Sequence, residues 1–391
     1  MNVLVTGHNG YIGSVLVPML LAAGHRVVGL DSYLFAACLF GSDVPDVPAW
    51  WLDIRDVQPE HLAGFDAVIH LAGLSNDPLA DLNPELTNEI NYLASVRLAR
   101  LAKEAGVSRF VFSSSCSIYG AAGDDLVTEE APCRPLTPYG ISKVKAEEKI
   151  AALADSRFSP IILRNATAYG VSPRLRGDLV VNNLVGYAST TGTVLLKSDG
   201  TAWRPLVHVA DIARAFLGML QAPRERVHNQ VFNVGRTEEN YRIRDVAALV
   251  REIVPGCTVG YAAGASADQR CYRVDCSKLA ATLPECVPQW TVRQGIEQLY
   301  QAYRQQRLTA EEFLGPRYLR IEYIKQLLSA GYLDETLRWR AGADPQVDHV
   351  SATHVHSNNG MPFVRGAGAR AVPVAGGDAA GRRAAHGGAA P

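Results

Sequence analysis

Three glycines spaced three residues apart, Gly7, Gly10 and Gly13, follow directly on the apolar run at 3–6 and open a stretch with helical periodicity over 12–23. A strand that passes into a helix through so short a connection leaves few architectures open. The first glycine permits the tight turn, the second lets backbone amides approach an anion, and the third lets the helix pack close to the strand. The same alternation continues. Residues 26–30, 67–71, 109–113 and 160–164 read as buried strands, and 85–105 and 139–153 as helices. Gly24 and Gly106 stand where helix C-terminal glycines belong. Alternating strands and helices of this kind predict an α/β fold around a parallel sheet.

Past about residue 170 the rhythm becomes irregular. Strand-like segments at 193–196 and 231–234 flank a helix over 211–220, which predicts a smaller lobe interleaved with the main sheet. In this reading 1–169 is the first domain, with about 205–235 returning to it. The lobe takes 170–204 and 236–340, its charged helical stretch 308–340 packing on the lobe. From 341 to 391 the composition shifts to Gly, Ala, Pro, Arg and His without periodicity, and a disordered tail is expected. His349, His354 and His356 in that tail are not read as metal ligands, and no metal site is expected elsewhere.

With 48% hydrophobic residues the chain can bury a sizeable core, and a formal net charge of -1 offers no general attraction to nucleic acid or to an anionic membrane. No apolar run approaches the roughly 18–20 residues of a membrane span. No basic-then-apolar leader precedes the first strand. The seven cysteines are odd in number and scattered without a Cys-x-x-Cys pair, which suits a reducing, cytoplasmic setting.

The spacing of the glycine turn is G-x-x-G-x-x-G rather than G-x-G-x-x-G. A glycine-rich turn can be only a turn, and Asp31, ending the second strand, can be only a solvated acid. Together they point further. A carboxylate at that strand end accepts the hydroxyls of an adenosine ribose, whereas a 2′-phosphate needs a cation, and no Arg or Lys follows Asp31 for many residues. NAD is the dinucleotide this favours, on a Rossmann-type doubly wound sheet with a smaller interleaved C-terminal substrate-binding lobe.

The strand at 109–113 runs into Ser113-Ser114-Ser115-Cys116-Ser117-Ile118-Tyr119-Gly120, and Tyr139-Gly140-Ile141-Ser142-Lys143 follows Pro138. Proline suits a first helical turn, which places Tyr139 and Lys143 one turn apart on one face. A free phenol titrates near ~10, so a tyrosine base near neutrality needs roughly three units of lowering, about 4 kcal/mol. A neighbouring ammonium and the positive nicotinamide of oxidised NAD both favour the phenolate. Ser115 can donate to a substrate oxygen. Tyr119 reads as a packed aromatic and Cys116 as a small buried hydrophobe.

Taken in order, GHNGYIG, Asp31, Asp53-Ile54, His70-Leu71-Ala72-Gly73, SSSCSIYG and YGISK cover roughly residues 1–300. On them the chain resembles an extended short-chain dehydrogenase/reductase, in the branch of nucleotide-sugar epimerases and dehydratases. The resemblance implies Ser115, Tyr139 and Lys143 as the catalytic set, with Tyr139 and Lys143 also on the cofactor. It implies Gly7, Gly10, Tyr11, Ile12, Gly13, Asp31, Asp53, Ile54, Leu71, Ala72 and Gly73 as further cofactor contacts. A nucleotide-sugar substrate would meet Ser115, Asn183 beside Leu184, and Arg204. Arg270 is a looser match that reads equally well as a surface arginine. Thr167 stands where the family has asparagine; its hydroxyl can still donate. His208, just ahead of Asp211 as the expected helix cap, reads as structural. A homodimer built from the helices at 85–105 and 139–153 is also implied.

The reaction is read from neighbours. Family 4,6-dehydratases carry Asp-Glu after the catalytic hydroxyl residue, where this chain has Cys116-Ser117, a neutral pair poorly suited to β-elimination. Relatives that epimerise at C3 and C5 place a cysteine where Ser117 stands. Epimerisation at C4 fits best. A dehydratase or ketoreductase with the same triad is the alternative, and a silent NAD sensor, which typically lacks the tyrosine, is a more distant one.

Overall fold

The computed structural model describes residues 1–344, apart from 42, 43, 45, 76 and 267, together with 364–365. Its strands are β1 (Asn2–Thr6), β2 (Arg26–Asp31), β3 (Ala49–Trp51), β4 (Ala67–His70), β5 (Arg109–Ser115), β6 (Ala121–Val127), β7 (Ser159–Asn165), β8 (Thr167–Tyr169), β9 (Thr193–Ser198), β10 (Trp203–His208), β11 (Val231–Val234), β12 (Asn240–Arg242), β13 (Thr258–Ser266), β14 (Cys271–Val274) and β15 (Val364–Arg365). The main sheet runs β11-β7-β5-β4-β1-β2-β3-β15, every pairing in it parallel. β4 and β7 are buried along their whole length, as strands covered on both faces must be.

Strand order reverses at β1, which pairs with β2 on one side and β4 on the other: Thr6 stands beside both Leu30 and His70. In a doubly wound sheet the crevice at such a reversal, outside the carboxyl ends of the strands, is where ligands bind. Gly7, Asp31, Leu71 and Ser115 all leave or end their strands at that edge. One face of the sheet is covered by the helices Gly13–Ala22 and Val209–Gln221, through Leu16, Leu20, Ile212 and Phe216. The other is covered by Ser95–Glu104 and Pro138–Ala151, through Leu98, Ala102, Ala146 and Ile150. A separate apolar cluster joins the helices Val180–Thr191, Ile243–Ile253 and Val292–Gln305 through Val185, Val250 and Ile296.

The structure departs from the sequence reading at several places. The helix expected over 85–105 is a composite: Pro84–Thr87, a π-helical stretch Asn88–Ala94, then Ser95–Glu104. The helix expected from 211 begins at Val209, capped by His208 Nδ1, which accepts from the Ala210 amide at 3.2 Å. Asp211 therefore sits in its first turn, accepting from the amides of Gln289 and Trp290. The stretch 308–340 does not pack on the lobe alone. Phe313 and Tyr318 join the lobe cluster, but Tyr323, Ile324, Leu327, Leu333 and Leu337 join the core beneath the main sheet. The sequence reading placed the whole stretch on the lobe because it follows the lobe in the chain, but apolar side chains spaced along a helix bury against whichever core they reach. Most of 345–391, including His349, His354 and His356, lies outside the described residues. Within the expected tail, Val364–Arg365 extends alongside Trp50 and Trp51, where the open edge of β3 offers unpaired backbone groups. Among the described residues no helix is long and apolar enough to cross a membrane, and no group of His, Cys, Asp and Glu is arranged to hold a metal.

Candidate active site

A cavity of about 940 Å³ opens at the carboxyl edge of the sheet, and each residue singled out from the sequence as a catalytic, cofactor or substrate contact lines it. At one end lies the glycine turn. Gly7 holds φ +73°, and a Cβ there would stand 2.7 Å from the Ala72 amide nitrogen. A Cβ on Gly13 would stand 2.3 Å from the Gly7 carbonyl oxygen. No side chain caps the helix Gly13–Ala22, so the cavity meets the positive end of its dipole. Tyr11 is tied down by its hydroxyl, which donates to the Gly170 carbonyl at 2.7 Å. Asp31 accepts from the amides of Asn9 (3.0 Å) and Tyr33 (2.8 Å), which orients its carboxylate at the end of β2. Asp53 is more committed: Arg55 donates to it from Nε at 2.9 Å and Nη2 at 2.7 Å.

The opposite wall comes from β5 and the helix Pro138–Ala151. Thr137 caps that helix by accepting from the Gly140 amide at 3.2 Å, and Pro138 takes the first turn. Tyr139 and Lys143 then face the cavity one turn apart. The Tyr139 hydroxyl is hydrogen-bonded to Ser115. Lys143 is buried, its Nζ donating to the Ser113 carbonyl at 2.8 Å, 5.8 Å from the centroid of the Tyr139 ring and 4.8 Å from that of Phe112. Burial pushes the Lys143 ammonium down to about 8 and the Tyr139 phenol up to about 12, the latter against the hydrogen bond from Ser115. In the protein alone the phenol thus stands above its free value, burial outweighing the hydrogen bond from Ser115, while the Lys143 ammonium is held by a backbone carbonyl.

Behind this wall a buried network fixes the geometry. Arg164 Nη2 pairs with Glu147 at 2.8 Å, Ser114 donates to the same carboxylate, and Arg164 Nη1 donates to the Tyr119 hydroxyl at 3.0 Å. Tyr119 in turn donates to Asn233 at 2.7 Å, a packed aromatic as read from the sequence. Cys116 is buried, its thiol donating to the Arg164 carbonyl at 3.1 Å and pushed well up by burial, so it supplies no thiolate. Beneath the wall His70 lies between Thr6 Oγ1 (2.6 Å) and Ser95 Oγ (2.8 Å), and burial brings it down to about 3.

On the lobe side the two arginines read as anion contacts are already partnered. Arg204 pairs with Asp268 at 2.8 Å and donates to the Arg270 carbonyl, while Arg270 bonds Asp268 at 2.8 Å and Asp77. Asn183 donates to the Gly177 carbonyl at 2.8 Å, and Thr167 lines the cavity from β8.

Several site residues had not been singled out. Asn91, in the π-helical stretch, pins the loop after β4 by exchanging hydrogen bonds with the Leu74 backbone at 2.8 and 2.9 Å. Irregular turns of this kind often mark functional positions, but nothing in the local sequence announces one. Asp77 accepts from Thr137 at 2.8 Å and reaches Arg270 across the cavity. Asn165, directly after Arg164, lines the cavity with Oδ1 buried and unpartnered among the described residues. Arg176 and Arg320 also line it.

The family model for the NAD dependent epimerase/dehydratase family matches residues 3–235, more than half of the chain, and the chain belongs to that family. A UDP-glucose 4-epimerase of Neisseria meningitidis serogroup A is 32% identical over 291 residues, 66% of this chain and 84% of that one. Among solved structures, MoeE5 in complex with UDP-glucose and NAD is 29% identical with TM-score 0.67, covering 78% of this chain and 99% of that one. A dTDP-glucose 4,6-dehydratase from Streptomyces venezuelae with NAD bound matches as well in shape, at 26% identity and TM-score 0.67 over 78% of this chain and 98% of that one. Overall shape therefore does not separate epimerase from dehydratase. Residues must. The glycine cradle, the oriented Asp31 and the uncapped helix start together fit the diphosphate and ribose of NAD, the cofactor of this family.

Proposed function

We propose that the chain is an NAD-dependent nucleotide-sugar epimerase that inverts C4. The observation that carries this is the make-up of the wall: Ser115 bonded to Tyr139, Lys143 a turn away, and at 116–117 the uncharged pair Cys116 and Ser117. Tyr139 takes the proton of the C4 hydroxyl, and Ser115 donates a hydrogen bond to the same oxygen. Lys143 holds positive charge against the site. The glycine turn and Asp31 would hold NAD, which would supply the hydride acceptor for C4 and the hydride for the opposite face, and whose positive ring would favour the phenolate of Tyr139, otherwise pushed up to about 12. Tyr139 then gives the proton back. No carboxylate stands at 116–117, the positions from which the family's 4,6-dehydratases would draw their acid and base, which favours epimerisation over elimination.

UDP-glucose is the first substrate to try, since relatives of about 30% identity act on it. The closed set Arg204–Asp268–Arg270–Asp77 lies on the substrate side, where a diphosphate would draw the guanidinium groups from their carboxylates. C4-deuterated UDP-glucose incubated with unlabelled NAD should give UDP-galactose that keeps the deuterium. Wash-out of label into solvent, or a 4-keto-6-deoxy product, would sink the scheme.

We also infer a homodimer through the helices at 85–105 and 139–153, which leave Leu93 and Ile141 exposed at 51% and 41%. The seven free thiols suit a cytoplasmic setting.

A further inference from the structure

The last described helix, Arg320–Ser329, brings a cation to the far side of the cavity from the catalytic wall. The Arg320 side chain is buried, the residue only 3% exposed. Its guanidinium lies 3.9 Å from the centroid of the Phe35 ring, and Nη2 donates to the Arg174 carbonyl at 3.2 Å. Nη1 has no partner among the described residues. Arg174 is buried beside it, with Nε on the carbonyl (3.2 Å) and side chain (2.8 Å) of Asn9 in the glycine turn, and its own Nη1 is unpartnered too. The nearest acids are occupied. Asp178 is held by Arg176 at 3.0 and 2.8 Å, and Asp31 accepts two backbone amides.

A buried guanidinium with an unsatisfied donor is costly, and burial already disfavours its charge. The structure tolerates two such groups side by side, Arg320 on the wall of a cavity that also holds Gly7, Gly10 and Asp31, and Arg174 tied to the glycine turn through Asn9. What completes them is an anion entering with the ligand, and the ligand moiety that runs from a glycine turn to a strand-end carboxylate is an adenosine diphosphate.

The segment is also strapped over that end. Trp339 Nε1 donates to the Ser32 carbonyl at 2.8 Å, Arg55 Nη2 donates to the Thr336 carbonyl at 2.9 Å, and Arg338 Nη2 bonds Asp56 at 3.0 Å. We propose that residues 316–340 form a clasp over the adenosine half of NAD, with Arg320 donating to the cofactor's diphosphate and so holding the cofactor between turnovers. This rests on the cofactor reading above and adds a ligand from outside the segment that the family model matches.

The test compares the full-length chain with Arg320→Met, which keeps the bulk and removes the donors, and with Arg320→Lys. Calorimetric titration with NAD, ADP-ribose, ADP and adenosine gives Kd, and nucleotide remaining after dialysis of the holoenzyme gives retention. Arg320→Met should raise Kd for NAD, ADP-ribose and ADP alike by about 10- to 100-fold, leave adenosine unchanged, and lower retained nucleotide. Its ligand-free Tm should not fall. Arg320→Lys should recover most of the affinity. Trp339→Phe, which loosens the strap without touching the charge, should speed NAD release. Binding of NAD to Arg320→Met within twofold of wild type would overturn the proposal. So would an equal loss for adenosine, which marks general misfolding, or a loss confined to NADP, which places the guanidinium at a 2′-phosphate. If wild type binds neither NAD nor ADP-ribose, the cofactor reading itself fails and takes the clasp with it.

Discussion

The cavity has two walls that were built by different rules. On the β5 side, Ser115, Tyr139 and Lys143 come from two short stretches, and the charged groups at and behind them, Lys143, Glu147 and Arg164, are each held by hydrogen bonds. On the C-terminal side, Leu319, Arg320, Ile321 and Leu337 come from a stretch with no motif, backed by Phe313 and Trp339, and Arg320 ends in an open donor. A wall that performs proton transfer needs particular residue types at fixed spacing, so it leaves a pattern in the chain. A wall that covers a ligand needs only bulk, a helical period and one well-placed cation. Chemistry writes short-range signatures; enclosure does not.

That contrast can be broken most severely at Tyr139. Tyr139→Phe should cost about 10³-fold in kcat, within the range for loss of a positioned general base, with Tm and NAD affinity near wild type. A comparable loss of NAD binding would show that this wall, too, serves mainly to enclose. Next is Phe313, buried with its ring so close to Gly186 that a Cβ there would stand 2.0 Å from Cζ. Phe313→Ala should destabilise by about 3–5 kcal/mol in urea unfolding. It should also speed cofactor release while leaving kcat at saturating NAD intact; a fall in that kcat would join the two walls into one.

The wall that carries Tyr139 rests on a buried imidazole whose titration makes stability depend on pH. His70 titrates near 6.5 in an unfolded chain and is brought down to about 3 when folded. Between those values the unfolded state binds the extra proton. Stability is therefore full above about 6.5 and is lost as pH falls toward 3, at about 1.4 kcal/mol per pH unit from this group. Urea titrations at pH 7 and pH 5 should show that slope reduced in His70→Gln, and an unchanged slope would count against a neutral buried imidazole. The smallest effect is expected at Arg338, whose pair with Asp56 is substantially exposed at 36% and 45%. Arg338→Ala should change stability by less than about 1 kcal/mol, and a larger loss would mean the strap is pinned at its rim rather than by Phe313 and Arg320.

Much of the sheet was legible because parallel strands buried on both faces are continuous apolar runs, as at 67–71 and 160–164. β3 was not seen: three residues beyond Pro45 and Pro48 are too few to show a period. That the residues singled out from the sequence would come together was legible, since all of them line one cavity. Their electrostatics were not. That Lys143 turns to the Ser113 carbonyl and that Arg204 reaches Asp268 are facts of packing between separate segments, and that Asp53 is taken up by Arg55 and Asp268 by Arg270 depends on how each short turn folds. Asn91 was hidden for a related reason, because it matters only where a helix widens against the loop after β4.

The bond from Trp339 to Ser32 joins positions 307 residues apart. No local event can make it. On a ribosome adding roughly 5–20 residues each second, the crevice after β2 waits about 15–60 s for its cover to be synthesised. The glycine turn, the sheet and the Ser115, Tyr139 and Lys143 stretches are thus all synthesised before the segment that closes this contact, and under the clasp proposed above the cover is the last part of the crevice to become available.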